Sequence, residues 1–140
     1  MSQTVHPHKT RRLVMQALYQ WDLSAQSMVN VQQEVLKRHH DEQFDRDYFE
    51  CCTSFIAHHV AIIDHHYAAF CSRKLQDIGP VEKAILRLGS YELAQQSDIA
   101  KRIILNECIE LAKKFGPTDS YQFINAALDQ TAKSLRPLEA

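Results

Sequence analysis

The sequence predicts an all-α fold of six or so helices arranged as two antiparallel sub-bundles. Three observations carry this expectation. Apolar residues recur at i, i+3, i+4 and i+7 along most of the chain, which lines one face of a helix. No stretch shows the apolar–polar alternation of a half-buried strand. The 140 residues include only 3 Gly and 4 Pro, which suits long helices better than many short strands. A hydrophobic content of 45% and a charged content of 24% are ordinary for one soluble globular domain. That domain is placed at residues 9–137, behind a flexible basic N-terminal arm at residues 1–8.

The arm is short, polar and interrupted by Pro7. A first helix is expected from Lys9 to Leu23, with Val14, Ala17, Leu18 and Trp21 inward. Its opposite face carries Arg12, Gln16 and Tyr19, with His8 and Met15 at the margin. Met28, Val31 and Val35 mark a second helix ending near His39. An acid-rich loop follows, and Asp45 is a fitting N-cap for a long third helix reaching about Leu75. Its buried stripe reads Tyr48, Cys52, Phe55, His59, Ile62, His66 and Ala69.

The next helix, Gly79 to Leu93, carries two apolar rows and should be central, with neighbours on two sides. Pro80 suits its first turn, where a missing N–H costs nothing. Gly89 weakens a helix relative to Ala, which is easiest to justify by a closely packed neighbour. Ser97–Asp98 should start the fifth helix, with Leu105, Cys108, Ile109 and Ala112 inward and Glu110 paired to Lys114 outside. Gly116–Pro117 stops it. Asp119 with Gln122 resembles a capping box for a sixth helix, which buries Ile124, Ala127, Leu128, Thr131 and Leu135.

The net charge of −1 hides an uneven layout: residues 1–21 hold Lys9, Arg11 and Arg12 and no acid. A basic end on a neutral protein points to a polyanion partner held locally. No apolar run approaches a membrane span, and the N-terminus lacks the apolar core of a signal peptide, so a cytoplasmic protein is expected. Cys51, Cys52, Cys71 and Cys108 lack zinc-like spacing and are expected as reduced thiols in apolar helical contexts.

The 8 histidines include the pairs His58–His59 and His65–His66, but equivalent members lie seven apart. Two helical turns, about 10 Å, exceed what one ion bridges. Packed histidines are expected instead, and no metal. No nucleophile–base pair, phosphate loop or poised pair of carboxylates is present, so no enzyme and no cofactor are expected. Two features stand out from a plain helical core. The cations Lys9, Arg11 and Arg12 can neutralise phosphates while an exposed Tyr19 stacks on an unpaired base. Phe123 sits about 100° off its helix's buried stripe and is a second stacking candidate.

Several stretches together resemble the NusB family of bacterial transcription antitermination factors. They are Gln16-Ala17-Leu18-Tyr19-Gln20-Trp21, the run Val81 to Leu93 (VEKAILRLGSYEL), the run Ile104 to Gly116 (ILNECIELAKKFG) and Phe123-Ile124-Asn125-Ala126-Ala127-Leu128-Asp129. The motifs keep family order and spacing from about residue 8 to 137. The resemblance implies six or seven helices in two three-helix sub-bundles. It also implies binding of boxA-type single-stranded RNA of ribosomal RNA leaders together with NusE, a ribosomal protein, within an RNA polymerase antitermination complex. By the same resemblance Lys9, Arg11, Arg12, Tyr19, Asp119 and Phe123 fall at RNA-contacting positions, and Glu82 with its exposed neighbours at the partner surface. Some family members form a homodimer. A protein–protein adaptor whose RNA contacts come mainly from its partner is the alternative function.

The arm, His6-Pro7-His8-Lys9-Thr10-Arg11-Arg12, is poorer in Arg than is usual in the family. Histidines in place of fixed charges imply RNA binding that responds to pH below about 6.5. Ala126 replaces a usual Gly and Ala100 a usual Pro.

Overall fold

The computed structural model describes residues 5–139. Among them are seven α-helices and one 3-10 turn, with no strand. The helices are α1 (Pro7–Leu23), α2 (Met28–Arg38), α3 (Arg46–His58), α4 (Val60–Ala68), α5 (Pro80–Gln95), α6 (Lys101–Phe115) and α7 (Ser120–Leu135). The 3-10 turn, Leu75–Asp77, lies between α4 and α5. Helices α1, α2 and α3 pack on one another, as do α5, α6 and α7. Helix α5 also packs on α1, α3 and α4, and thereby joins the two groups.

Why α5 sits at the centre follows from its sequence. Residues 84–93 are all buried, so this helix is enclosed on every side. Pro80 occupies the first turn, and Gly79 N–H donates to Glu82 Oε1 at 3.3 Å. At Gly89 a Cβ would stand 2.8 Å from Leu128 Cδ1 and 3.0 Å from Cys108 Sγ. The missing side chain lets both α6 and α7 close on α5. Ala126, by contrast, is exposed.

The expected long third helix is two helices. The chain breaks at His59 (φ −124°, ψ 33°), whose ring packs on Phe55 with centroids 4.4 Å apart. The two helices pack differently on either side of the break: α3 lies on α1 and α2 as well as α5, whereas α4 lies on α5 and α7. Of the expected stripe only Cys52 is fully buried; the rest of the buried face is Phe49, Thr53 and Ile56, then Ile63 and Tyr67. His59 and Ile62 are exposed, and His66 is half-buried, so the expected histidine-bearing stripe is not the core. Helix α4 ends at Ala68, leaving Cys71 in a loop, and Cys51 is exposed, so these two thiols do not sit in the apolar helical settings expected of them.

Three helix starts also differ from expectation. Helix α1 begins at Pro7, two residues inside the expected arm, with His6 as N-cap at φ 50°. Helix α6 begins at Lys101 after Ala100, not at Ser97–Asp98. At α7, Asp119 precedes the first turn at φ 67° and its side chain caps nothing, so the expected capping box does not form. Left-handed backbone at a non-glycine residue is costly, and Asp is among the residues that tolerate it best. Of the arm, residues 1–4 lie outside the described residues. Val5 N–H donates to Asp45 Oδ2 at 3.4 Å, and the buried Thr10 hydroxyl lies within hydrogen-bond range of Val5 O at 3.0 Å and His6 O at 2.9 Å. Thr10 Oγ1 also accepts from Asp45 N–H at 3.0 Å, which ties the start of α1 to the N-cap of α3.

Candidate nucleic-acid interface

The charged residues nearest the centre of the molecule are structural. Arg11, expected on the basic surface, is 3% exposed and its Nε donates to both oxygens of the fully buried Glu92, at 2.9 and 3.1 Å. Tyr48 OH donates to the same carboxylate. This triad ties α1, α3 and α5 together. Burial works against the Arg11 charge, but Glu92 outweighs it and raises the guanidinium pKa. Burial first, then Glu92, pushes the Tyr48 phenol far above its ordinary value. A cation so paired is not free to meet a phosphate.

A second buried network holds α4 to α5 and α1. Arg87 donates to Asp64 through Nε at 2.9 Å and Nη2 at 3.0 Å, and to Asp22 at 3.0 Å. Tyr67 OH completes it, donating to Asp64 at 2.7 Å. Near the C-terminus, Arg136 donates to four carbonyls, of Glu92, Leu93, Gln96 and Ile99, and so satisfies the open end of α5.

Glu82, expected to face a partner, is 3% exposed. Besides capping α5 it accepts from Arg73 Nη1 at 2.9 Å. The Arg73 guanidinium in turn lies 4.0 Å over the half-buried Phe123 ring. Phe123 and Glu82 are therefore brought together, but through Arg73, which covers one face of the aromatic ring. Asp119 is exposed one turn before Phe123.

The outward face of α1 carries the remaining candidates. Tyr19 is 38% exposed and lines a groove of about 700 Å³ with Gln16, Leu23, Arg38, His39, Val81 and Phe115. A smaller groove, about 270 Å³, lies among His8, Lys9 and Arg12 of α1 and Glu107, Glu110 and Lys114 of α6. Phe115, also 38% exposed, lines both. Met15, expected at the margin, is buried beneath this face.

Charge on this face is mixed. Lys9 is ion-paired to Glu42, and His8 Nδ1 lies 2.9 Å from Glu107 Oε1. Arg12 and Lys114 make no ion pair among the described residues, so the expected Glu110–Lys114 bridge is not formed. The face thus offers three cations without an ion pair among the described residues, Arg12, Lys114 and Arg38, beside two exposed aromatic rings, Tyr19 and Phe115. Phe115, Lys114, Arg38 and His39 are not among the site residues expected from sequence. Phe115 precedes the Gly116–Pro117 stop, where an aromatic reads as an ordinary helix end. Their shared face with α1 is a tertiary fact with no local signal.

Among the described residues no helix is long and apolar enough to cross a membrane.

Comparison with known proteins agrees with this architecture. A model of the NusB family matches residues 8–133. The transcription antitermination protein NusB of Alcanivorax borkumensis is 38% identical over 132 residues, spanning 94% of this chain and 88% of that protein. Its namesake from Escherichia coli O139:H28 is 38% identical over 129 residues, spanning 92% and 93%. Among solved structures, T. maritima NusB superposes with a TM-score of 0.84 at 26% identity, covering 94% and 93% of the two chains. The fold is also that of a chain in a crystal structure of antitermination factors NusB and NusE with dsRNA, at a TM-score of 0.82, 22% identity and coverage of 93% and 99%. With a family model matched along most of its length and relatives this similar, the chain belongs to the NusB family.

Proposed function

We propose that this protein acts in transcription antitermination by binding boxA-type single-stranded RNA of ribosomal RNA leaders together with NusE, within an RNA polymerase antitermination complex. The family's curated members named above carry the antitermination role, and one related structure contains NusB, NusE and dsRNA. The observation that carries the RNA reading is the α1–α6 face, where Arg12 and Lys114, without an ion pair among the described residues, adjoin Tyr19 and Phe115. Cations hold phosphates without regard to sequence, and exposed rings stack on unpaired bases. Lys9 joins this set once released from Glu42. Phe123 and Asp119 form a second, weaker candidate contact, since Arg73 already stacks on the ring.

The adaptor reading draws on one specific observation: carboxylates already pair with Lys9, His8 and Arg11. Glu82, being buried, supports a partner surface only through what it holds in place, Arg73 and the first turn of α5.

Replacing Tyr19 and Phe115 by Ala separates the readings. If both rings stack on bases, each substitution weakens binding of a boxA-like oligonucleotide by about fivefold or more, since stacking is worth roughly 1–3 kcal/mol per base. Unchanged affinity in the folded double variant would remove the face from RNA recognition.

A further inference from the structure

Glu42 stands among cations in a way that pairing alone does not explain. One carboxylate oxygen, Oε1, meets Lys9 Nζ, and the other, Oε2, lies 2.7 Å from His39 Nδ1. The loop that carries it is held by Arg46, whose Nη2 donates to the carbonyls of His39, His40 and Glu42 at 3.4, 3.1 and 3.2 Å. Glu42 N–H closes the turn on His39 O at 3.1 Å. The carboxylate side chain is nevertheless 33% exposed. Fixed in place and open to water, it sits where the two grooves of the α1 face approach each other, because Lys9 lines one and His39 the other.

The surrounding charges are mostly positive, with Asp41 as the one opposing acid acting on His39. Besides burial, the fields of Arg38, Lys9 and Arg12 hold the His39 pKa below its ordinary value, so all three cations act on this point. Lys37 and Arg38 complement the C-terminal end of α2 and need no further explanation. Lys9 and Arg12 belong to the first turns of α1 and have no such local role.

We propose that Glu42 occupies a phosphate-binding subsite formed by Lys9, His39 and Arg12, as a resident anion that a backbone phosphate of the bound RNA displaces. A carboxylate and a phosphodiester both accept N–H donors through anionic oxygens, and a partly exposed ion pair is weakly held. In the free protein Glu42 lowers the positive charge of the face and disfavours non-specific polyanions. A phosphate positioned by the aromatic contacts alongside gains Lys9 when Glu42 yields. This rests on the RNA-binding function proposed above, and the test has an arm that does not.

The test compares the full-length wild type, Glu42→Gln and the double variant Lys9→Gln/Glu42→Gln. Thermal shift with inorganic tripolyphosphate reads the subsite, and titration with a boxA-like single-stranded RNA at two salt concentrations reads its use. Glu42→Gln is expected to show a larger tripolyphosphate-induced rise in Tm than the wild type. It should also bind RNA severalfold more tightly, with a log–log salt slope steeper by about 0.7, the value of one added single-strand phosphate contact. The double variant should lose both gains. A folded Glu42→Gln protein, judged by its helical circular dichroism, that answers tripolyphosphate no more strongly than the wild type overturns the proposal. Should the Gln variant not fold, Glu42→Ala is read by the same criteria. A larger tripolyphosphate response without RNA binding by any variant would uphold the subsite and count against the RNA function.

Discussion

At the residue scale, the polar side chains of this protein divide by partner rather than by position in sequence. Arg11 and Arg12 are adjacent, yet one is sealed against Glu92 and the other faces a groove without an ion-pair partner among the described residues. Nothing local distinguishes them, because the burial of Arg11 depends on a carboxylate 81 residues away. Glu82, Arg87 and Glu92 are likewise buried and paired, and all three belong to the most identifiable segment of the chain. Their charges stabilise a particular arrangement of helices only while both members of each pair are present. Arg11→Met is accordingly expected to cost about 3–5 kcal/mol, the penalty for leaving a buried charge unpaired. Urea unfolding followed by circular dichroism measures it, and a loss under 1 kcal/mol would mean that Glu92 finds other partners. Deleting residues 1–12 would remove Arg11 and Thr10 too, so it would confuse folding with RNA binding; single surface substitutions avoid this.

At the element scale, most helices were legible because amphipathic periodicity is a local property. Helices α2, α5 and α6 end or start within a few residues of expectation, and Pro80 and Gly116 mark the boundaries they suggest. The region 48–70 departs from the single helix expected, for a physical reason. It is apolar on more than one face, so periodicity allowed two stripes and one unbroken rod, whereas the helices on either side of the break at His59 pack differently. Asp119 and Gln122 had the residue types of a capping box but not the backbone, since Asp119 adopts φ 67°. Gly89 was read correctly as a point of close approach, and it makes a sharp test. Gly89→Ala gains about 1 kcal/mol of helix propensity. It also forces a Cβ against Leu128 and Cys108, an overpacking that costs about 1–3 kcal/mol. Net destabilisation on the order of 1 kcal/mol is expected by denaturant unfolding. Stabilisation would show that Leu128 moves aside freely.

At the scale of the whole molecule, the two helix groups meet across α5 and leave one mixed face of grooves on α1 and α6. Stability should respond to pH through two histidines. Burial, then Arg38 and other cations, lowers the pKa of His39, and burial, then His65, lowers that of His66. Above the unfolded value of about 6.5 both rings are neutral in folded and unfolded chains and contribute no pH dependence. As pH falls through that value and then through the lower folded values, the unfolded chain takes up protons first, so stability is lost. The urea midpoint should fall between about pH 6.5 and 5, and fall less in His39→Gln/His66→Gln. An equal fall in that variant would assign the effect to other groups.

The candidate site was only partly readable in sequence. The cationic start of α1 and Tyr19 were recognisable because they lie on one helix face. The contribution of Lys114 and Phe115 was not, because it depends on how α6 lies against α1. The central claim, that this α1–α6 face engages RNA directly, is tested by titrating a boxA-like single-stranded RNA with the isolated chain and with its NusE complex at two salt concentrations. The account predicts binding by the isolated chain at low salt, strengthened by NusE, with a salt slope that becomes shallower by about 0.7 in Arg12→Gln and again in Lys114→Gln. Binding only in the presence of NusE, with slopes identical in wild type and both variants, would contradict it.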